Sequence, residues 1–389
     1  MASVNPLARL FDGADEVIAT LERRAARGVT HPADAFAEVA EHHPVELDLT
    51  VAQVIEETAS TKTLRMRAGD GGDLPAFLAG QYVSLTVPVD GAVTTRAFSI
   101  SSSPARRDHY DLTVRRLAGG RVSNHLVDTV RPGDRFTSGP PIGTFHHNEL
   151  FHGDEVVFIA GGSGVAPAMS MIHDIVDHGL PRRFTLLYCS RHAGDIIFRD
   201  ALDALADRHP NVVVHHVVAE PAAGWEGHLG PLDAELITRL VGPLNGRTTY
   251  LCGAPGKYAP MVEVLRSLGQ PRRRIRLEAN SVALPPPKDP KWPAGLDAQE
   301  EVTVTVRGRG GPDARFRARR GRPLLDSLED HGVLPRSSCR SGECALCRVR
   351  ICSGEVFHAE EARLRASDER FGFAHSCVAY PLTDLDVEA

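Results

Sequence analysis

Val156-Val-Phe-Ile-Ala160-Gly-Gly-Ser-Gly-Val-Ala-Pro167 divides the chain. The apolar run reads as a strand buried on both faces and the glycines as a tight turn. Pro167 suits the first turn of a helix that continues through Met169, Ile172 and Ile175. Downstream, Phe184-Thr-Leu-Leu-Tyr188, Val212-Val-Val214 and Thr248-Thr-Tyr-Leu251 are further apolar strands separated by helical or loop segments. This alternation predicts an α/β domain with a parallel, helix-covered sheet over residues 151–282.

Upstream the period changes to two. Val45-Glu-Leu-Asp-Leu-Thr-Val51, Thr63-Leu-Arg-Met66, Tyr82-Val-Ser-Leu-Thr-Val87 and Asp111-Leu-Thr-Val114 alternate apolar and polar residues, with Gly, Pro and Asp turns between them. Such short antiparallel strands predict a small barrel over 46–150. Before it, Leu7, Leu10, Phe11, Val17, Ile18 and Leu21 recur at helical spacing, so residues 1–45 read as a helical extension. Beyond the α/β domain, Pro285-Pro-Pro-Lys-Asp-Pro290 marks a Pro-rich linker over 283–300, and a third domain fills 301–389.

The whole is 389 residues, which suits two or three domains at roughly 150 residues each. With 44 Lys+Arg against 50 Asp+Glu the formal net charge is -6, which argues against nucleic acid as a partner. No apolar run is long enough for an integral membrane segment, and the N-terminus has no basic-then-apolar leader, so a cytoplasmic location is expected. Seven cysteines are too few for a disulfide scaffold in a chain of this length.

Four of them form a set. Cys339, Cys344 and Cys347 stand at C-x4-C-x2-C, with Cys377 further on, which is the plant-type 2Fe-2S spacing. Two irons bridged by sulfides need four thiolates, and one loop supplies three only if small residues let backbone N–H groups face the sulfurs. Ser338, Ser341, Gly342 and Ala345 are that small. The competing reading is a tetrahedral zinc site, although zinc ribbons favour two separated C-x2-C pairs. Cys352 and Cys189, both in apolar strands, read as buried neutral thiols.

The turn through Gly162, Ser163 and Gly164 suits an anion, because its N–H groups and the following helix N-terminus point the same way. It departs from G-x-G-x-x-G, so a purely structural turn is the alternative. Leu251-Cys252-Gly253-Ala-Pro-Gly256 places a second glycine turn at the same carboxyl edge, where ligands of open α/β sheets bind. Together they suggest a nicotinamide dinucleotide. Ser190 and Arg191 follow another strand, where an adenosine ribose or its 2′-phosphate could be held, and a guanidinium there leans toward NADPH. Otherwise Arg191 is a solvated surface residue. Histidine pairs at 42/43, 146/147 and 215/216 read as surface or turn residues.

Arg96-Ala97-Phe98-Ser99 ends a barrel strand, followed by Leu112-Thr113-Val114-Arg115 and by Gly119-Gly120-Arg121-Val122-Ser123. This arrangement resembles the ferredoxin-NADP reductase superfamily, whose flavin motif is R-x-Y-S, with Phe98 in place of the Tyr. The resemblance implies that Arg96 pairs with flavin phosphates and that Phe98 and Ser99, beyond Ala97, touch the isoalloxazine. It implies that Thr113, Val114 and Arg115 line the flavin, and that Gly120, Arg121, Val122 and Ser123 cradle its pyrophosphate. Gly162, Ser163, Gly164, Pro167, Cys252 and Gly253 resemble the nicotinamide motifs, with Ser99 and Cys252 in catalytic positions at the hydride path. Glu278 matches the first position of the family's E-x-F, but position 280 is Asn, and no catalytic role is assigned to it.

The resemblance covers about residues 46–280 for the reductase and 301–389 for a plant-type ferredoxin, whose fold is an α+β β-grasp. Its domain order is similar to phthalate dioxygenase reductase and its FAD-using relatives. The expected cofactors are FAD, with FMN the alternative on the same barrel, and a 2Fe-2S cluster, with NAD(P)H as substrate. The expected function is a reductase that supplies a separate terminal oxygenase, hydroxylase or desaturase, since no oxygen-activating iron or haem motif is visible. The alternatives are a diaphorase-type reductase acting on a small acceptor and a zinc-stabilised interaction protein.

Overall fold

The computed structural model describes residues 46–220, 224–278, 286–308, 313–359 and 362–389, together with Ala19. The expected N-terminal helices, His42 and His43, and the first part of the linker lie outside them.

Strands β1 (Leu47–Thr58), β2 (Thr61–Ala68), β3 (Tyr82–Val89), β4 (Ala92–Ser99), β5 (Tyr110–Arg115) and β6 (Arg135–Ser138) form one sheet in the order β4-β3-β6-β1-β2-β5. Every ladder in it is antiparallel. The sheet curls until its two edges meet at the bridge between Ile100 and Leu112. Alternation does this work: Leu49, Val51, Leu64, Met66, Val83 and Leu85 all turn inward and are buried. Helix α1 (Arg121–Thr129) packs on this core through Val122, Leu126 and Val127.

The second sheet is built from β7 (Glu155–Gly161), β8 (Arg183–Ser190), β9 (Val212–Val218), β10 (His228–Leu229), β11 (Thr248–Cys252) and β12 (Ile275–Glu278). Its order is β10-β9-β8-β7-β11-β12, parallel throughout. Helices α2 (Ala166–Asp177), α3 (Arg199–Arg208), α4 (Ala234–Val241) and α5 (Tyr258–Ser267) supply the crossovers. Phe158, Leu186 and Tyr188 belong to one buried cluster with Ile172 and Leu202, while Val157, Ile159 and Leu187 belong to another with Ile237 and Leu265. Both faces are therefore covered, as the continuous apolar runs require. The chain works outward from β7 to β10 and then returns to β11 on the other side, so a crevice opens at the carboxyl ends of β7 and β11.

The third sheet, β14-β13-β19-β15-β17, contains β13 (Glu301–Arg307), β14 (Ala314–Arg319), β15 (Arg348–Ser353), β17 (Phe373–His375) and β19 (Leu385–Glu388). Strands β13 and β19 run parallel, and helix α6 (Leu324–Asp330) crosses the sheet through Leu324 and Leu328. This is the β-grasp expected. A small ribbon of β16 (Val356–His358) and β18 (Ala379–Pro381), with helix α7 (Ala366–Arg370) between them in the chain, completes it. The end of the Pro-rich segment is seated on this domain: Trp292 packs edge-on against Phe357 at 5.2 Å and donates from Nε1 to the Leu296 carbonyl at 3.1 Å. Among the described residues no helix is long and apolar enough to cross a membrane.

Candidate functional site

A cleft of about 1330 Å³ lies where the barrel, the carboxyl edge of the parallel sheet and helix α6 meet. From the barrel come Arg96, Ala97, Phe98 and Ser99 of β4, Thr113, Val114 and Arg115 of β5, and Gly120, Arg121, Val122 and Ser123 at the start of α1. From the parallel sheet come Gly162, Ser163 and Gly164 after β7, Ser190 and Arg191 after β8, and Cys252 and Gly253 after β11. The structure thus gathers residues about 160 positions apart into one cavity. Pro167 does not line it; it is buried in the first turn of α2, where its missing N–H leaves no donor unpaired.

Two cleft-lining residues, Ser99 and Cys252, meet a carboxyl group buried behind the cleft wall. Ser99 Oγ donates to Glu278 Oε2 at 3.3 Å, and Cys252 Sγ stands 3.9 Å from the same oxygen. Burial pushes the Glu278 carboxyl up to about 8, against the lowering effect of the Ser99 hydrogen bond. It is therefore protonated at neutral pH and has a proton to exchange through the Ser99 hydroxyl. Sequence reasoning assigned Glu278 no role, because its importance comes from β12 lying beside β11, which puts Glu278 opposite Cys252. Tyr258 fixes that corner by donating to the carbonyls of Gly253 and Glu278.

The glycines here are needed for contact. A Cβ on Gly164 would stand 2.3 Å from the Cys252 carbonyl oxygen, so the two turns touch backbone to backbone. Gly162 has φ +55°, and a Cβ there would meet the Arg115 guanidinium at 2.6 Å. Arg115 also reaches Asp195 at 3.5 Å, tying the barrel to the nucleotide side of the cleft.

On the other side, Arg96 Nη1 donates to Thr94 Oγ1 at 2.6 Å and to the Thr95 carbonyl at 2.7 Å. Burial, with the neighbouring Arg340 guanidinium, pulls Arg96 down to about 10. A cation disfavoured in this way and facing a cleft suits an anionic ligand. The α1 N-terminus beside it has no acidic residue in its first turn and no side-chain cap. The Arg121 side chain, however, is already engaged: it donates to Asp90 at 3.1 Å, Asp330 at 2.9 Å and the Val89 carbonyl at 2.7 Å.

Arg191 is exposed and bonded from Nε to Glu220 Oε1 at 2.6 Å, with His192 at 3.6 Å from the same carboxylate. The edge expected to carry a free guanidinium therefore carries an ion pair.

In the third domain the cysteine side chains interact in series, Cys344 with Cys339, Cys339 with Cys377, and Cys377 with Cys347. Arg340, Gly342 and Ala345 all have positive φ, at 53°, 79° and 58°, and curl the loop around Cys339. The N–H groups of Ser341 and Cys344 donate to Cys339 Sγ, each at 3.4 Å. Hydrogen bonding with Cys344 and Cys377 holds the Cys339 thiol well below its usual range, and Cys377 lowers Cys347 to about 7. His375 Nδ1 meets the Gly342 carbonyl at 3.0 Å, and Ser376 Oγ donates to the Cys347 carbonyl at 2.7 Å, so the far ligand is braced against the loop. Cys352 is exposed, not buried as expected, because it lies in the irregular register step of β15 between Ile351 and Ser353. Cys189 is half-buried and not fully enclosed as expected, because it lines the cleft at the end of β8; desolvation there pushes its thiol up. His215 and His216 lie in β9 and not in a turn.

Comparison with known proteins agrees with this architecture. Residues 48–147 match the family model of the oxidoreductase FAD-binding domain, 158–266 the oxidoreductase NAD-binding domain, and 305–382 the 2Fe-2S iron-sulfur cluster binding domain. The ferredoxin reductase component of 3-ketosteroid-9-alpha-monooxygenase from Mycolicibacterium smegmatis is 32% identical over 348 residues, covering 87% of this chain and 95% of its own. The glycine betaine monooxygenase reductase subunit of Pseudomonas aeruginosa is 26% identical over 350 residues, covering 86% and 93%. The structure of phthalate dioxygenase reductase superposes with a TM-score of 0.64 at 25% identity, covering 88% of this chain and 98% of that one. With these three domains in this order, the chain belongs to the ferredoxin-NADP reductase superfamily, among the flavoprotein reductases fused to a C-terminal plant-type 2Fe-2S ferredoxin domain.

Proposed function

We propose that this protein takes reducing equivalents from NAD(P)H and delivers them through FAD and a 2Fe-2S cluster to a separate terminal oxygenase, hydroxylase or desaturase. The observation that carries this reading is the continuity of the cleft, whose walls come from the flavin barrel, the nucleotide sheet and the ferredoxin domain at once. When bound, nicotinamide supplies a hydride, flavin divides that electron pair, and the cluster carries single electrons.

The chain's residues have matching tasks. Arg96 and the start of α1 at Gly120 to Ser123 hold the flavin phosphates, while Phe98, Ser99 and Thr113 to Arg115 orient the ring against β4 and β5. The turns at Gly162 to Gly164 and at Cys252-Gly253 hold the dinucleotide at the carboxyl edge, with Ser190 and Arg191 toward its adenosine end. Ser99 and Cys252 bound the place where hydride passes, and Glu278 returns or accepts the accompanying proton through Ser99 Oγ. Cys339, Cys344, Cys347 and Cys377 would hold the two irons: their side chains interact with one another, Cys339 with Cys344 and Cys377, and Cys347 with Cys377, and Cys339 has the backbone donors that anionic sulfur requires. A cytoplasmic location fits seven free cysteines.

Purified protein should be coloured, releasing FAD on acid treatment and containing about two irons per chain. A colourless, zinc-bearing protein would overturn the reading.

A further inference from the structure

The segment around Cys339 is held by another domain. Ser338 Oγ lies 2.5 Å from Ser84 Oγ of β3, and Ser337 Oγ lies 2.5 Å from Thr95 Oγ1 of β4. Arg340 makes the densest set: Nη2 donates to Thr94 Oγ1 at 2.8 Å, Nη1 to Asp326 Oδ1 at 2.7 Å, and further bonds reach the Thr95 carbonyl and Glu329. Thr94 Oγ1 in turn donates to Glu329 Oε2 at 2.7 Å. The Arg340 side chain is 10% exposed and that of Glu329 5%, so this is a desolvated ion pair and not a surface contact.

Arg340 adopts φ 53°, which a non-glycine residue accepts only when its surroundings compensate. The compensation comes from both domains, since its fork joins two carboxylates of α6 to the hydroxyl and carbonyl of β4. Strand β4 is also the one that ends in Arg96, Phe98 and Ser99.

We infer that Arg340 is a positioning residue that clamps the ferredoxin domain onto strand β4 of the flavin barrel and thereby fixes the separation across which electrons pass. The inference rests on the proposed electron route. Each electron lost by reduced flavin is gained by the oxidised cluster, and two successive transfers use the pair that one hydride delivers. Arg340 takes no part in either bond change; it sets where the two groups stand. Glu329 is the buried counter-charge of the same clamp, and Thr94 is its barrel-side acceptor.

The test uses the full-length holoprotein as wild type, Arg340→Gln, Arg340→Lys and Glu329→Gln. Hydrogen exchange of the β4 and α6 amides should quicken in the Gln variants, and single-turnover transfer from reduced flavin to cluster should slow on the order of tenfold, the scale on which small misplacements act. Ferricyanide reduction and the cluster's EPR spectrum should stay as in wild type, and Arg340→Lys should recover part of the transfer rate. Glu329→Gln, away from the ligand loop, keeps the result readable if Arg340→Gln loses its cluster. Unchanged exchange and transfer in cluster-bearing Glu329→Gln and Arg340→Lys, with Arg340→Gln either wild-type-like or merely cluster-depleted, overturns the clamp. Wild-type protein without flavin or cluster would instead overturn the electron route on which it rests.

Discussion

The hydroxyl of Ser99 donates to the carboxyl group of Glu278 across 3.3 Å, joining the last residue of β4 to the last residue of β12 and thus the barrel to the parallel sheet. Because burial raises Glu278 to about 8, its proton is present at neutral pH and is lost as the pH climbs through that value. NAD(P)H-driven ferricyanide reduction should therefore fall above about pH 8. Glu278→Gln should lose this alkaline limb and slow the reaction by roughly 10²-fold, the lower end for removing a positioned proton donor. A pH–rate profile of the variant that keeps both limb and rate would exclude Glu278 from proton movement.

The Arg191–Glu220 pair bears on coenzyme choice. A carboxylate beside the guanidinium accepts from ribose hydroxyls and repels a 2′-phosphate, so NADH should be the better donor, against the preference that Arg191 alone suggests. Glu220→Ala frees the guanidinium and should raise the NADPH-to-NADH ratio of kcat/KM severalfold at low ionic strength, the gain shrinking as salt screens these exposed charges. Steady-state kinetics with both coenzymes decides this, and an unchanged ratio would place the adenosine ribose elsewhere.

Gly164→Ala should be costly, because the added methyl would have to share space with the Cys252 carbonyl 2.3 Å away. Separating the two turns is expected to destabilise the nucleotide domain by roughly 1–3 kcal/mol, as overpacking does, and to raise KM for NAD(P)H. Thermal melting and KM measure the two effects separately. Wild-type values for both would mean that the turns move apart freely.

The legible parts of this molecule were those written locally. Four cysteines at plant-type spacing need no long-range information, because three ligands share one loop, and the change of period at Val156 marks the passage from barrel to parallel sheet. The Arg96 to Ser99 and Gly162 to Gly164 stretches were visible for the same reason, and all of them line one cleft. Glu278 was not legible as a proton donor: its raised pKa is a product of desolvation, and its link to the barrel is Ser99, a residue 179 positions away. Nor was Arg340, to which the sequence assigned no role, because its partners on β4 lie about 245 positions away. The Arg191–Glu220 pair was missed because β8 and β9 bring together residues 29 positions apart. The exposure of Cys352 depends on a register shift, which periodicity alone does not reveal.

The central claim is that electrons reach the acceptor only through the cluster, and Cys344→Ser tests it most directly. That variant removes a thiolate from the middle of the loop, where the Cys344 N–H also braces Cys339 Sγ, so the cluster should be lost or crippled while FAD, in another domain, stays bound. Ferricyanide should still be reduced at close to the wild-type rate, because it takes electrons from the flavin, whereas reduction of cytochrome c or of the partner oxygenase should fall by at least about tenfold. Equal support of both kinds of acceptor by the cluster-free variant would contradict the account.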